Sequence, residues 1–382
     1  MQKSKALLLI AGFYFCYFAF NGLFSPYWGL YLAELSFPAW QIGILTSLTQ
    51  INRIYAPALW GWLADRSGQR QKILRLAGVM GLIFFLPLLL THSFWPLLIS
   101  VWIASFFWSS ALPLVEATSM TLLAGNSGAY ARLRVWGSIG FVVAALLAGY
   151  LIDAFGVGVL PMAVVSVMAG LAIYSFYVPE APVVLKNQLA NVKFFDVLAK
   201  TEVRALLLAC FLMALAHGAY YSFYSIYMVE HGYSKRVVAW LWTLGVIAEI
   251  AVFWLMPSIT QRFTLKKIFL CGLMLAVVRF MLIGLAADFI VLLIVAQLAH
   301  GFTFGSHHAV TMSYIHRHFY GAHQAKGQAL NIAVSFGLGG SLGGILAGLL
   351  WTEGGAMVFM LSAGMALLGL GVAWLGINKN DL

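Results

Sequence analysis

The chain has 382 residues, of which 62% are hydrophobic and only 9% charged, with 22 Lys and Arg against 12 Asp and Glu. Soluble domains carry about 25% charged residues and about half apolar ones, so a mean hydropathy of +0.92 excludes a water-soluble enzyme, a disordered chain and a nucleic-acid-binding domain. The formal charge of +10 therefore needs another explanation. Cys16, Cys210 and Cys271 lie far apart inside apolar runs and read as small core residues, not as a disulfide framework or a zinc site.

A membrane helix needs about 20 mostly apolar residues. Twelve such stretches follow along the chain, at 7–33, 40–64, 73–91, 95–124, 130–152, 157–178, 203–229, 236–260, 267–287, 289–315, 324–350 and 355–377. They predict an all-α integral membrane protein. The first run continues past signal-peptide length without a small-residue cleavage site, so no cleavable leader is expected. None of the runs alternates as barrel strands do.

Taken in order, span 1 places Asn21, Phe24, Ser25 and Trp28 on one helical face. Span 2 carries Arg53, span 4 carries Glu116, and span 5 carries Arg134 one turn in, with Trp136 close behind. Span 7 repeats the mixed face of span 1 with His217, Tyr220, Tyr221 and Tyr224. Glu249, Arg279 and His300 follow in spans 8, 9 and 10, and Gln328, Asn331 and Ser335 form a polar stripe in span 11. An ionisable group at a span centre costs about 2.5–3.5 kcal/mol or more and normally faces the protein interior. A single one can be an ion pair that only fixes helix packing, and an aromatic stripe can be plain core. The whole set, spread over both halves, points to a water-filled site. His307 and His308 are adjacent, so they point about 100° apart on a helix and make a poor metal pair. No HExxH, Walker A, G-x-S-x-G or paired-Cys motif is present, so neither metal nor cofactor is expected. The glycines of Gly337–Gly340 and Gly343–Gly344 lie inside an apolar span and read as points of close helix approach or bending.

Lys and Arg mark the cytoplasmic side. With the N-terminus inside, 18 of the 22 fall on the inner face (Arg134, one turn into span 5, counted with them), two (Lys235 and Arg236) on the outer face, and Arg53 and Arg279 deeper within spans. Both termini are then cytoplasmic, and the excess positive charge is a topology label. The longest polar break, 179–202, separates residues 1–178 from 203–382, with six spans on each side. A shift of 196 positions lays Asn21 on His217, Gly22 on Gly218, Phe24 on Tyr220, Tyr31 on Tyr227, Glu34 on Glu230 and Arg66 on Arg262. The repeat suggests two duplicated bundles, joined by a cytoplasmic linker, that face each other across a central cavity.

Between spans 2 and 3 the chain reads Gly61-Trp62-Leu63-Ala64-Asp65-Arg66-Ser67-Gly68-Gln69-Arg70-Gln71-Lys72. This resembles the signature loop of the major facilitator superfamily. The resemblance implies that family's fold, with twelve transmembrane helices in two pseudo-symmetric six-helix bundles, and transport by alternating access. It gives Gly61, Asp65, Arg66, Gly68 and Arg70 the role of stabilising the outward-open state. Pro113-Leu114-Val115-Glu116-Ala117 and Arg132-Leu133-Arg134-Val135-Trp136-Gly137-Ser138 resemble the oligosaccharide–proton symporters of the lactose permease type, where the matching Glu and second Arg form a substrate-binding charge pair. Arg279 and His300 match those symporters, while Thr303 replaces a proton-carrying glutamate and Phe141 a sugar-stacking tryptophan. Ala216-His217-Gly218-Ala219-Tyr220-Tyr221 and Leu241-Trp242-Thr243-Leu244-Gly245, continuing to Glu249, look closer to the phenylpropionate permease group, as does Arg53.

These resemblances imply a proton-coupled symporter that takes up a small aromatic acid such as a phenylpropionate. Proton coupling is expected at Glu249, Glu116, Arg279 and His300. Substrate contacts are expected from Arg53, Arg134, Glu116, Asn21, Trp28, Trp136, His217, Tyr220, Tyr221, Tyr224 and Asn331. The proton gradient would serve as energy source without a cofactor, in a monomer in the bacterial inner membrane whose partners are substrate, protons and lipid, with no nucleic acid. A sugar or nucleoside proton symporter, a drug or sugar exporter and a transporter-like sensor stay open. An exporter would carry a glycine–proline motif in span 5, and 130–152 has no proline. A membrane enzyme would need a nucleophile, acid pair or metal cluster near one face, and the sequence offers none.

Overall fold

A computed structural model describes residues 3–123, 126–180, 194–321 and 323–377. Most of the expected linker, with Lys186 and Lys193, lies outside the described residues, as does Lys379. The described residues form helices and no strand, as hydrocarbon demands of a chain whose backbone must satisfy its own hydrogen bonds.

The chain divides into two compact units, Met1–Leu185 with Ser234–Ala239, and Lys186–Tyr233 with Trp240–Leu382. The first unit contains α1 (Lys3–Glu34), α2 (Ala39–Asn52), α3 (Ala56–Ser67), α4 (Arg70–Phe85), α5 (Phe94–Leu122), α6 (Ser127–Phe155) and α7 (Leu160–Tyr177). After the short α8 (Phe194–Ala199) come α9 (Thr201–Glu230), α10 (Lys235–Arg262), α11 (Leu265–Leu285), α12 (Ile290–His300), α13 (His307–His318), α14 (His323–Ile332), α15 (Gly340–Leu350) and α16 (Gly355–Gly376). The opening turn of α10 is grouped with the first unit, where Lys235 pairs with Glu34 at 3.4 Å and Arg236 with Asp153 at 3.0 Å. The two basic residues expected on the outer face are thus each paired with a carboxylate.

Among the described residues, eleven helices are long and apolar enough to cross a membrane. The expected count of twelve continuous spans is corrected at 40–64, which is two helices, α2 and α3, broken at 53–55. Pro57 opens α3, where its missing N–H costs nothing. Asn52 ends α2 by sending its amide to the Trp102 carbonyl at 2.8 Å and to Ser105 Oγ at 2.6 Å on α5. Spans 10 and 11 each contain a π-helical stretch, Gly301–Ser306 between α12 and α13 and Ala333–Gly339 between α14 and α15.

The 196-residue offset carries across the architecture. It takes Glu34, the end of α1, to Glu230, the end of α9, and Leu122, the end of α5, to His318, the end of α13. Packing follows the same order: α1 lies against α6 and α7 as α9 lies against α15 and α16, and α4 lies against α7 as α11 lies against α16. Small residues permit these approaches. A Cβ on Gly140 would fall 2.2 Å from the Phe15 carbonyl oxygen, and one on Gly339 would fall 2.6 Å from that of Phe211, the repeat partner of Phe15. A Cβ on Gly343 would meet the Leu215 carbonyl oxygen at 2.2 Å.

Large aliphatic and aromatic side chains such as Leu90, Trp254 and Leu375 point outward and are more than four-fifths exposed, as expected where the solvent is lipid. The interiors hold Ala, Ser and aromatic residues. Buried hydroxyls on α5 bond back to their own helix: Ser109 to Phe106, Ser110 to Phe107, Thr118 to Leu114 and Ser119 to Val115.

Candidate functional site

Among the described residues, each unit holds a cluster of ionisable and aromatic side chains inside its spans. In the first unit, α5 presents Glu116 and α6 presents Arg134, with Arg134 Nε 3.8 Å from Glu116 Oε1. Tyr130, one turn before Arg134 on α6, donates its hydroxyl to the same carboxylate oxygen at 3.0 Å. The guanidinium lies 3.8 Å from the centre of the Phe18 ring and 5.8 Å from that of Tyr14, both on α1. Tyr14 in turn shares a hydrogen bond with Ser119 of α5 at 3.3 Å. Next to this group, the Tyr17 and Trp108 rings stack at 4.6 Å. Both members of the ion pair remain about one-third exposed, and the guanidinium rests on aromatic rings.

The second cluster is fully enclosed in its unit. Arg279 of α11 has no accessible surface. Its Nε donates to the Ala296 carbonyl at 3.1 Å, its Nη1 lies 3.3 Å from His217 Nε2, and its guanidinium sits 4.1 Å from the Tyr220 ring centre. His217 Nδ1 lies 2.8 Å from the Met213 carbonyl, which places the imidazole proton on Nδ1 and leaves Nε2 to accept from Arg279. Tyr220 donates its hydroxyl to Gln297 Oε1 at 3.1 Å and packs between Tyr224, Trp242 and His300, at ring separations of 4.8, 4.6 and 5.5 Å. Trp242 is fixed by its Nε1–H to Ser225 Oγ at 2.9 Å. Among the described residues no ion pair reaches Arg279. A buried cation without a counter-charge is costly, here softened by ring faces and neutral acceptors.

The expected site residues divide accordingly. Glu116 and Arg134 come together, and so do His217, Tyr220, Tyr221, Tyr224, Arg279 and His300. Glu249 stands one turn after Gly245 on α10, with its Cγ 3.5 Å from where a Gly305 Cβ would be. A Cβ on Gly245 would meet Gln297 Oε1 and His300 Cδ2 at 3.2 Å, so Glu249 borders the second cluster through the π-helical turn that follows His300. Asn331 is buried and accepts the Ser335 hydroxyl at 3.1 Å. Asn21 donates to the Tyr17 carbonyl of its own helix, and Trp28 is buried in the ring ladder Phe24–Trp28–Tyr31 of α1. Trp136 is half-exposed on α6. Arg53 caps the end of α2 and takes part in the break between α2 and α3. In the loop, Asp65 pairs with Arg70 at 3.5 Å, Arg66 lies over Trp62, and Gly68 ends α3 with a left-handed φ of 64°. A small cleft beside this loop is lined by Gly61, Asp65 and Arg70 with Ser110 and Pro113 of α5.

Tyr130 and Gln297 belong to these clusters, yet sequence reasoning passed over them. Both carried a signal: Tyr130 precedes Arg134 by one helical turn, and Gln297 precedes His300 by three residues inside an otherwise apolar run. The described residues hold no group of three or more His, Cys, Asp or Glu able to ligate a metal. His307 stacks on Phe269 at 4.6 Å, a packing role.

Comparison with known proteins agrees with this architecture. The model of the MFS_1-like family matches residues 7–361. A probable 3-phenylpropionic acid transporter of Escherichia coli (strain K12) is 29% identical over 365 residues, covering 93% of each chain. The putative nucleoside transporter YegT of the same organism is 26% identical over 323 residues, covering 78% of this chain and 73% of that one. Among solved structures, a mutant of the nucleoside transporter NupG superposes with a TM-score of 0.84 at 18% identity, over 98% of this chain and all of the other. A bacterial homologue of the lysosomal transporter Spinster gives 0.76 at 17% identity, over 98% and 96%.

Proposed function

The chain belongs to the MFS_1-like family of major facilitator transporters, so it is a multi-pass membrane transporter of small molecules and not an enzyme, and from that premise we propose that it takes up a small aromatic acid together with protons. One observation carries the reading: inside the spans of each unit an arginine lies on an aromatic ring, Arg134 on Phe18 and Arg279 on Tyr220. A guanidinium beside ring faces is complementary to a molecule with a carboxylate at one end and an aromatic ring at the other. The E. coli relative described as a probable 3-phenylpropionic acid transporter has that substrate chemistry.

In this reading the bundles 1–178 and 203–382, joined by 179–202, alternate access with both termini in the cytoplasm, as a monomer in the inner membrane. Glu249 carries the proton, with Glu116, Arg279 and His300 coupled to it. A buried carboxylate gains proton affinity from desolvation and loses it to a nearby cation, so a conformational change that alters either one ties protonation to transport. Arg53, Arg134, Asn21, Trp28, Trp136, His217, Tyr220, Tyr221, Tyr224 and Asn331 supply substrate contacts. The Asp65–Arg70 loop with Gly61, Arg66 and Gly68 favours the outward-open state. The proton gradient is the energy source, and no cofactor takes part. A nucleoside substrate is the second reading, favoured by YegT. Uptake into proteoliposomes under an inward proton gradient, with labelled 3-phenylpropionate and labelled uridine side by side, separates the two. Acid uptake that collapses with a protonophore supports the proposal; uridine uptake alone supports the second reading.

A further inference from the structure

The second cluster leaves several buried polar atoms unpaired. Arg279 Nη2, Gln297 Nε2, His300 Nδ1 and the Tyr224 hydroxyl are buried and lack a hydrogen-bond partner. They surround one residue: Tyr220 covers the guanidinium at 4.1 Å, bonds Gln297 at 3.1 Å and packs on His300 at 5.5 Å. Buried polar groups in folded proteins are normally paired, and each exception calls for a physical explanation. Several of the exceptions lie together here, beside a full positive charge. The first cluster is different in kind, because Arg134 already has the carboxylate of Glu116.

We propose that Arg279, Gln297 and His300 form the seat for the substrate's carboxylate, with the Tyr220 ring as its cover. One carboxylate oxygen would take Arg279 Nη2, and the other Gln297 Nε2 or, in the Nδ1–H tautomer, His300. Swinging Tyr220 aside releases its bond to Gln297 and uncovers the guanidinium. The arriving anion then supplies acceptors to Arg279 Nη2 and Gln297 Nε2. Trp242 and Tyr224, already packed on Tyr220, are placed to meet the ring of an aryl acid. The Ala296 carbonyl and His217 keep the guanidinium in position whether or not the seat is filled. This assignment rests on the aromatic-acid reading above and goes beyond it by choosing Arg279 over Arg134 as the carboxylate's partner.

The test is acid-specific stabilisation of the purified full-length protein in detergent, read by thermal shift with 3-phenylpropionate, its uncharged amide and propionate. The decisive variant is Gln297→Glu, which places a resident carboxylate beside Arg279; Arg279→Lys, which keeps the charge and loses the fork, is the second. The expected result is that wild type prefers either acid over the amide, and that Gln297→Glu weakens acid binding by about tenfold or more while leaving the amide unchanged. Arg279→Lys should weaken acid binding by a smaller factor. If wild type responds to propionate but to no aryl compound, and Gln297→Glu abolishes that response, the seat stands and the aromatic-acid reading falls. If Gln297→Glu folds and keeps the full acid preference, the seat is overturned while the aromatic-acid reading stands. An absence of any acid preference in wild type overturns both.

Discussion

Arg134 Nε approaches Glu116 Oε1 to 3.8 Å, and Tyr130 holds that same oxygen at 3.0 Å. The pair joins α5 to α6 inside the first unit, in spans where an unpaired charge is expensive. Glu116→Gln leaves the arginine without its counter-charge and should lower the initial uptake rate by about tenfold or more, with the amount in the membrane held equal. Tyr130→Phe removes one hydrogen bond from a partly exposed carboxylate and should cost only about threefold. Wild-type uptake by Glu116→Gln would reduce the pair to a packing device.

A second expectation concerns helix approach in the other unit. A Cβ on Gly218 would stand 2.3 Å from the Gly343 carbonyl carbon and 2.4 Å from the Gly344 nitrogen, both backbone atoms that cannot swing away. Gly218→Ala should therefore destabilise by about 1–3 kcal/mol through overpacking. Gly364→Ala, with nothing within 4 Å of the new methyl, serves as control. Thermal unfolding in detergent should show a lower midpoint for the first and an unchanged or higher one for the second. Equal midpoints would contradict the close crossing of α9 and α15.

The loop between α3 and α4 isolates a purely backbone effect. Gly68 has a φ of 64° with open space around its Cβ position, and its N–H closes the end of α3 on the Ala64 carbonyl at 3.0 Å. Gly68→Ala should cost about 1 kcal/mol from the left-handed conformation alone. Gly61→Ala, with nothing within 4 Å and ordinary helical backbone, should unfold at the wild-type temperature or above. A stable Gly68→Ala protein would mean the loop adopts another turn.

Much of the fold was legible from hydropathy and from the repeat. Apolar runs of helix length located the spans, and the 196-residue offset, visible in pairs such as Glu34 and Glu230, anticipated corresponding helix ends. The break at 53–55 was not legible by that route, because averaging over a window hides a side chain such as Asn52 that terminates a helix by bonding to α5. The π-helical stretches after His300 and Ile332 escaped for the same reason: composition does not record one extra residue in a turn. In the candidate site, charges inside apolar runs were conspicuous, so Glu116, Arg134, Arg279 and His300 stood out at once. Gln297 and Tyr130 were not conspicuous, since neutral polar residues blend into a span until a neighbour gives them a partner. Trp136, two residues after Arg134 in sequence, turns to an exposed face of α6.

The most direct test of the central claim is proton movement linked to substrate in proteoliposomes. Adding 3-phenylpropionate outside wild-type vesicles should alkalinise the medium as acid and protons enter together, and a protonophore should abolish gradient-driven accumulation. Glu249→Gln should exchange labelled for unlabelled acid in counterflow yet produce no alkalinisation. Alkalinisation by Glu249→Gln at the wild-type rate would contradict the account.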